Sequence, residues 1–117
     1  MEQTMFNPDM ESISLTDQEK MEKRLLSDQI EYVFEKSTMY RDKYAKAGIT
    51  KDKINHVQDL AMLPFTTKQE LRNSQKRLAP FGDFLAAPAE KVNRVHRTSG
   101  ITGKFIYTAL TTNDLDR

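Results

Sequence analysis

The sequence predicts an α+β fold in which a helix-rich part is followed by a β-strand, a glycine-rich loop and a second β-strand. Three observations carry this. Leu26, Ile30, Val33, Ser37, Tyr40 and Tyr44 recur at spacings of four and three, the period of one helical face. Val92-Asn93-Arg94-Val95-His96 alternates at the period of a half-buried strand, and Phe105 to Leu110 is a β-rich run. Between those two runs lies RTSGITGK, residues 97 to 104, with two glycines three apart.

The elements follow in order. Residues 1 to 15, with Asn7-Pro8-Asp9 and no sustained period, read as an extended arm or turn. A helical region spans 16 to 88. Thr16 and Glu19 are spaced as a capping box, so the first helix is expected to open there. Ser37-Thr38 is a candidate break, because both side chains compete for backbone hydrogen bonds and favour helix starts. Gly48 is placed to close the next helix in the left-handed conformation, and Thr50 to cap a short segment reaching Ile54.

Val57 to Phe65 carries apolar side chains too densely for a solvated loop, and Pro64 ends any helix approaching it. Thr67 and Glu70 repeat the capping-box spacing and open a short helix to about Gln75. Pro80-Phe81-Gly82 and Pro88 punctuate the connection to the last segment, 89 to 117. There, strand, loop and strand are followed by Thr112-Asn113-Asp114-Leu115, the start of a further helix.

Composition narrows the function classes. The 117 residues fit one small domain, with 38% hydrophobic and 30% charged residues in the globular range. Eighteen Lys and Arg against seventeen Asp and Glu leave a net charge of +1, which argues against a dedicated nucleic-acid or polybasic membrane binder. Cysteine is absent, so disulfides, thiolate metal sites and thiol nucleophiles are excluded. No apolar run spans a bilayer and the start lacks signal-peptide character, which suits a cytoplasmic protein.

In RTSGITGK, Thr98, Ser99 and Thr102 offer hydroxyls, Gly100 and Gly103 allow close backbone approach, and Arg97 and Lys104 add positive charge. These are the parts of an anion-binding loop. They are also the parts of a hairpin turn, which is the commoner use of such residues between two strands. The spacing is neither that of a Walker A loop nor G-x-G-x-x-G. On local chemistry, cradle and turn both stay open.

Elsewhere the residues read as structural. His96, a lone strand histidine, is a candidate to support the loop from behind and not a metal ligand, and His56 sits in a polar turn. Phe34, Tyr40, Tyr44 and Phe65 read as core rather than as a substrate pocket. Lys68, Arg72, Lys76 and Arg77 read as a solvated basic helix face. No carboxylate pair or Ser-His-Asp set is spaced for catalysis on one element, so no catalytic residue and no metal ligand is assigned.

Five pieces, IEYVFEKSTMYRDKYAKAGI, VQDLAMLPFTTKQELR, APFGDFLAAPAEKVNRVH, TSGITGK and a Thr-Asn-Asp-Leu run, occur in an order and spacing that resemble the N-terminal part of phenylacetate-CoA ligases. These belong to the adenylate-forming acyl- and aryl-CoA synthetases. The resemblance implies that Thr98, Ser99, Gly100, Thr102, Gly103 and Lys104 form the phosphate loop that wraps the β- and γ-phosphates of ATP. It implies activation of an aromatic carboxylic acid as its acyl-adenylate, with Mg2+, and transfer to coenzyme A.

This sequence departs from the family pattern at Ile101, where Thr is usual, and at Phe105, where Pro is usual. A lost donor to a charged oxygen costs on the order of 1.5 to 3 kcal/mol. The resemblance further implies that most of the active site lies outside these residues. The expectation is an N-terminal piece, inactive alone, that holds none of ATP, Mg2+ or coenzyme A tightly, with neither nucleic acid nor membrane as partner. The region after Pro88 is expected to be mobile, rearranged or partnered by oligomerisation, a homodimer included. The alternative is a non-catalytic interaction or dimerisation module that binds through the helical face of residues 26 to 44 and carries a degenerate phosphate loop.

Overall fold

The computed structural model describes residues 4–100 and 103–116. Its elements, in chain order, are α1 (Pro8–Glu11), α2 (Leu15–Lys36), α3 (Thr38–Lys46), two 3-10 segments (Lys51–Lys53 and Val57–Met62), α4 (Lys68–Arg77), a 3-10 turn (Ala89–Lys91), β1 (Val92–Arg97), β2 (Tyr107–Thr111) and α5 (Thr112–Leu115). The α+β reading therefore holds, helices first and a two-stranded sheet after them.

Residues 1 to 15, expected extended or turned, include one helical turn, α1, opened by the Asn7 side chain accepting from the Met10 N–H. The start of α2 corrects a second expectation. Its cap is Ser14, not Thr16: Ser14 Oγ accepts from the Asp17 N–H at 3.1 Å and donates to Asp17 Oδ2 at 2.8 Å. A Ser-x-x-Asp pair two residues earlier caps the Asp17 amide instead and leaves Thr16 inside the helix.

Ser37 is the break between α2 and α3. Its N–H donates to the Val33 carbonyl and closes α2, while its hydroxyl accepts from the Tyr40 N–H to open α3. The same hydroxyl donates to the Phe84 carbonyl at 3.1 Å, so a fully buried serine has all its polar capacity engaged. Gly48, at φ +71°, ends α3 as expected. Gly48 N–H bonds to the Ala45 carbonyl and Ile49 N–H to the Tyr44 carbonyl, each at 2.9 Å, the paired bonds of a Schellman closure.

That closure drops Ile49 and Ile54 back onto the face formed by Ile30 and Tyr44. These four make the core, flanked by Leu26, Val33, Phe34, Tyr40 and Leu63. Tyr44 lies between two rings, with centroids 5.5 Å from Phe34 and 5.8 Å from Tyr40. Burial, then the neighbouring Tyr40, push its phenol up from the ordinary value. Burying an isoleucine of this kind stabilises by roughly 1.5–3 kcal/mol.

The dense apolar stretch Val57 to Phe65 is less buried than expected. Val57, Leu60 and Met62 stay exposed, Leu63 reaches the core, and Phe65 is 95% exposed, so Phe65 is not a core residue. With three residues per 3-10 turn, Val57, Leu60 and Leu63 share one face, and only its last member reaches the core. The backbone at Phe65 is held instead: its carbonyl accepts from Lys43 Nζ at 2.5 Å, leaving the ring outside. The 3-10 turn after Thr50 forms, but Thr50 makes no side-chain cap bond.

The Thr67/Glu70 capping box forms as expected. Glu70 also bridges to Lys43 at 2.6 Å. That ammonium, then the Thr67 amide and hydroxyl, hold the Glu70 carboxyl down at about 2. The connection from α4 is strapped at Asp83. The Met39 N–H donates to the Asp83 carbonyl, and the buried Ser74 hydroxyl donates to the Asp83 carboxylate while accepting from the Phe84 N–H. Arg77 Nη2 bonds both Asp83 oxygens, at 2.9 and 3.1 Å. Burial raises the Asp83 carboxyl, but the Ser74 hydroxyl and Arg77 outweigh it and leave it below the ordinary carboxylate value. Gly82, at φ +84°, has no room for a side chain: a Cβ there would lie 2.6 Å from Ser74 Oγ.

β1 and β2 pair antiparallel, Val95 opposite Ala109 and Arg97 opposite Tyr107, with a bulge between Val92 and Arg94. The alternation in β1 marks a strand but not a half-buried one. Val92 is half-buried and the rest of β1 is exposed, because among the described residues no layer covers it. Among those residues, no helix is long and apolar enough to cross a membrane.

Candidate functional site

The glycine loop joins β1 to β2, and its base continues the strand ladder by one rung. Thr98 N–H donates to the Ile106 carbonyl at 3.0 Å, and Ile106 N–H donates to Thr98 Oγ1 at 3.1 Å, so a hydroxyl stands in for a strand carbonyl. Ile106 is buried at this junction. The Thr98 hydroxyl, having accepted, keeps its own proton for a ligand.

Both glycines take conformations that L side chains rarely adopt, Gly100 at φ +53° and Gly103 at φ +72°, and Gly103 N–H closes onto the Gly100 carbonyl at 2.9 Å. Gly100 is further constrained by space, since a Cβ there would meet the Phe105 ring at 3.0 Å. Phe105 in turn carries the Arg97 guanidinium 4.4 Å from its centroid. Arg97 therefore stacks on the neck of the loop instead of reaching into it.

Of the six expected loop residues, Thr98, Ser99, Gly100, Gly103 and Lys104 are described, and Thr102 lies outside the described residues, as does Ile101. Ser99 and Lys104 are exposed, and no described acid pairs with Lys104. The Thr98 and Ser99 hydroxyls, the Gly100 backbone and the Lys104 ammonium are a donor set suited to a phosphate, while the Gly103 N–H is engaged in the turn bond to Gly100. His96 is exposed on β1 opposite Thr108. Among the described residues, no group of three or more His, Asp or Glu side chains gathers to hold a metal.

One residue that positions the loop carries no signal in the sequence. The Gln75 side chain pairs with the backbone of Tyr107, donating Nε2–H to its carbonyl at 2.9 Å and accepting its N–H at Oε1 at 3.3 Å. A glutamine on a polar helix looks like a solvated residue, and only folding shows it as a surrogate strand neighbour for β2. Beside it, Arg72 leaves the solvated basic face expected for it: it is half-buried and its Nε is sealed from solvent without a hydrogen-bond partner.

No protein-family model matches the chain. Among solved structures, 2-hydroxyisobutyryl-CoA ligase in complex with 2-HIB-AMP and CoA, in its thioesterification state, superposes with a TM-score of 0.83 at 30% identity, over 92% of this chain and 23% of that one. The same ligase in its postadenylation state with 2-HIB-AMP gives 0.81 at 27% identity, over 92% of this chain and 22% of that one. The fold is thus that of part of an adenylate-forming ligase domain. Within that class the chain is a homologue of the phenylacetate-coenzyme A ligases. It is 36% identical over 113 residues to the Escherichia coli enzyme and 35% identical over 111 residues to the Thermus thermophilus enzyme, matching 97% and 95% of its own length. It spans about a quarter of the length of either relative.

Proposed function

We propose that the chain is the phosphate-loop-bearing N-terminal region of an ATP-dependent aryl-CoA ligase, and that Thr98, Ser99, Gly100, Thr102, Gly103 and Lys104 hold the β- and γ-phosphates of ATP. The observation that carries the reading is the loop: two glycines at positive φ, with hydroxyls and a lysine that no described acid pairs around them, inside a chain that is homologous to such ligases throughout. In the reaction the carboxylate of an aromatic acid attacks the α-phosphorus, pyrophosphate leaves, and the thiol of coenzyme A takes the acyl group from the adenylate. Mg2+ would share the phosphate charge when bound. The loop's part is positional and electrostatic, since its donors orient the triphosphate and meet the charge that develops on the leaving pyrophosphate.

Because the chain spans about a quarter of the length of these relatives, the activity proposed is that of the whole ligase. The helical face of residues 26 to 44, the surface that a dimerisation module would use, is occupied by the chain's own Ile49 and Ile54. Two measurements test the reading. Pyrophosphate titrated into the 117-residue chain should shift the amide resonances of the loop, residues 98–104, and Lys104→Ala should weaken that response about tenfold or more. The chain supplied with ATP, phenylacetate and coenzyme A should release no pyrophosphate. Loop resonances unmoved at millimolar pyrophosphate would remove the phosphate role, and turnover by the chain alone would remove its assignment as one part of a larger site.

A further inference from the structure

A cleft of about 390 Å³ opens between the C-terminal half of α4 and the loop neck, with Pro80, Phe105 and Tyr107 on its apolar side and Arg72, Lys76 and Lys104 around it. Three features set it apart from the other hollows of the molecule. No carboxylate lines it, whereas the cleft between α3 and α4 mixes Lys43, Lys46 and Arg77 with Asp42, Glu70 and Asp83. Its three cations form no ion pair with a described acid, although Lys43, Lys51 and Arg77 elsewhere all do. And the Arg72 Nε is buried with its proton unmatched.

A buried, unpartnered guanidinium N–H costs roughly 1–3 kcal/mol or more, and native proteins rarely leave one without a use. Arg72 lines the cleft while its Nε is closed off, so an entering acceptor would meet the outer N–H groups of the same guanidinium. Arginine presents several donors in a rigid fork suited to phosphate, and the lysines add point charges one helical turn and one loop away. The apolar side matters too, because free phosphate gains nothing from proline and aromatic carbons while the body of a nucleotide does.

From this geometry we infer a second anion subsite, Arg72–Lys76–Lys104, that takes a phosphate group carried on the apolar body of a nucleotide. It deepens the proposed function, on which it rests for the ligand class, and shares Lys104 with the phosphate loop. It differs from that loop in drawing two of its three cations, Arg72 and Lys76, from a helix in place of backbone amides. Two sources supply this chemistry: the polyphosphate of ATP and the phosphates of coenzyme A.

The test is a set of titrations of the isotopically labelled 117-residue chain with ATP, coenzyme A, dephospho-coenzyme A and pyrophosphate to millimolar concentration. The resonances followed are the Arg72 Nε–H, the Lys76 and Tyr107 amides, and the loop. The expected result is that ATP or coenzyme A shifts the Arg72 Nε–H and its neighbours. Arg72→Gln should weaken that response about tenfold or more, the scale of one charge-assisted hydrogen bond. Lys76→Glu, an exposed substitution, should weaken it similarly and serves where Arg72→Gln perturbs folding. A response to coenzyme A that is lost with dephospho-coenzyme A assigns the subsite to the 3′-phosphate, and a response to ATP alone assigns it to the triphosphate.

Shifts confined to residues 98–104 and indifferent to both variants would overturn the subsite and leave the loop reading standing. Shifts at Arg72 and Lys76 without loop shifts would support the subsite and remove the loop. A spectrum unmoved by every probe would overturn both.

Discussion

The helical part and the hairpin part of this chain satisfy themselves to different degrees. From Leu26 to Ile54 the apolar side chains of one face find one another: Ile54 is 2% exposed, and the core is closed by local devices, the Ser37 double cap and the Gly48 closure. From Val92 to Thr111 the backbone pairs well, yet the faces do not fill, and Val95 is 45% exposed in the middle of its strand. Hydrogen bonding and hydrophobic burial are separable, and in this molecule the first runs ahead of the second wherever the candidate site lies. A two-stranded ribbon with uncovered faces is marginal in water, so the tie through Gln75 carries unusual weight.

The largest expected contrast is between matched substitutions in the core and in the strand. Ile54→Ala should cost about 2–5 kcal/mol in urea unfolding, and Val95→Ala within about 0.5 kcal/mol of nothing. Equal costs would mean that the hairpin is packed as the helices are. Next in size is Gly82→Ala, which meets both a positive φ and the Ser74 hydroxyl and should lose about 1–3 kcal/mol, with the loss appearing in the thermal midpoint. A neutral result there would show that the Asp83 strap is not held tightly.

Gln75→Leu should act more locally. It strands the Tyr107 N–H and carbonyl, and the expected outcome is faster hydrogen exchange at Tyr107 and Ile106 with core amides unchanged. If core exchange accelerates equally, the two regions form one cooperative unit. The smallest effect is in acid. The Glu70 carboxyl is held at about 2 against an ordinary 4.5, so its contribution to stability is fully present above pH 4.5 and is lost as the pH falls toward 2. Glu70→Gln should flatten that part of the acid stability curve, and an unchanged curve would place acid sensitivity elsewhere, Asp83 being the next carboxylate with a depressed value.

Much of this is legible in the sequence where the governing interaction is local. The Ser37 break, the Gly48 closure, the Thr67 box and the strand runs are each set by residues within four or five positions of one another. The Ser14 cap escapes such reading because two candidate pairs compete, and only the energetics of the helix start chooses between them. Phe65 escapes it because apolar density does not say which way a ring turns once its carbonyl is taken by Lys43. The loop's chemistry is legible, but its support is not: Gln75, Arg72 and the Arg97–Phe105 stack meet it across chain separations or stacking geometries that no local pattern encodes.

The pairing of Gln75 with Tyr107 has a consequence for how such loops move between proteins. The contact touches only main chain, so it places no demand on the side chain at 107 while it does on a residue thirty-two positions earlier. A graft of RTSGITGK onto another hairpin would carry the glycines and the lysine but leave the address of the loop behind, written in a helix that a motif search never reads.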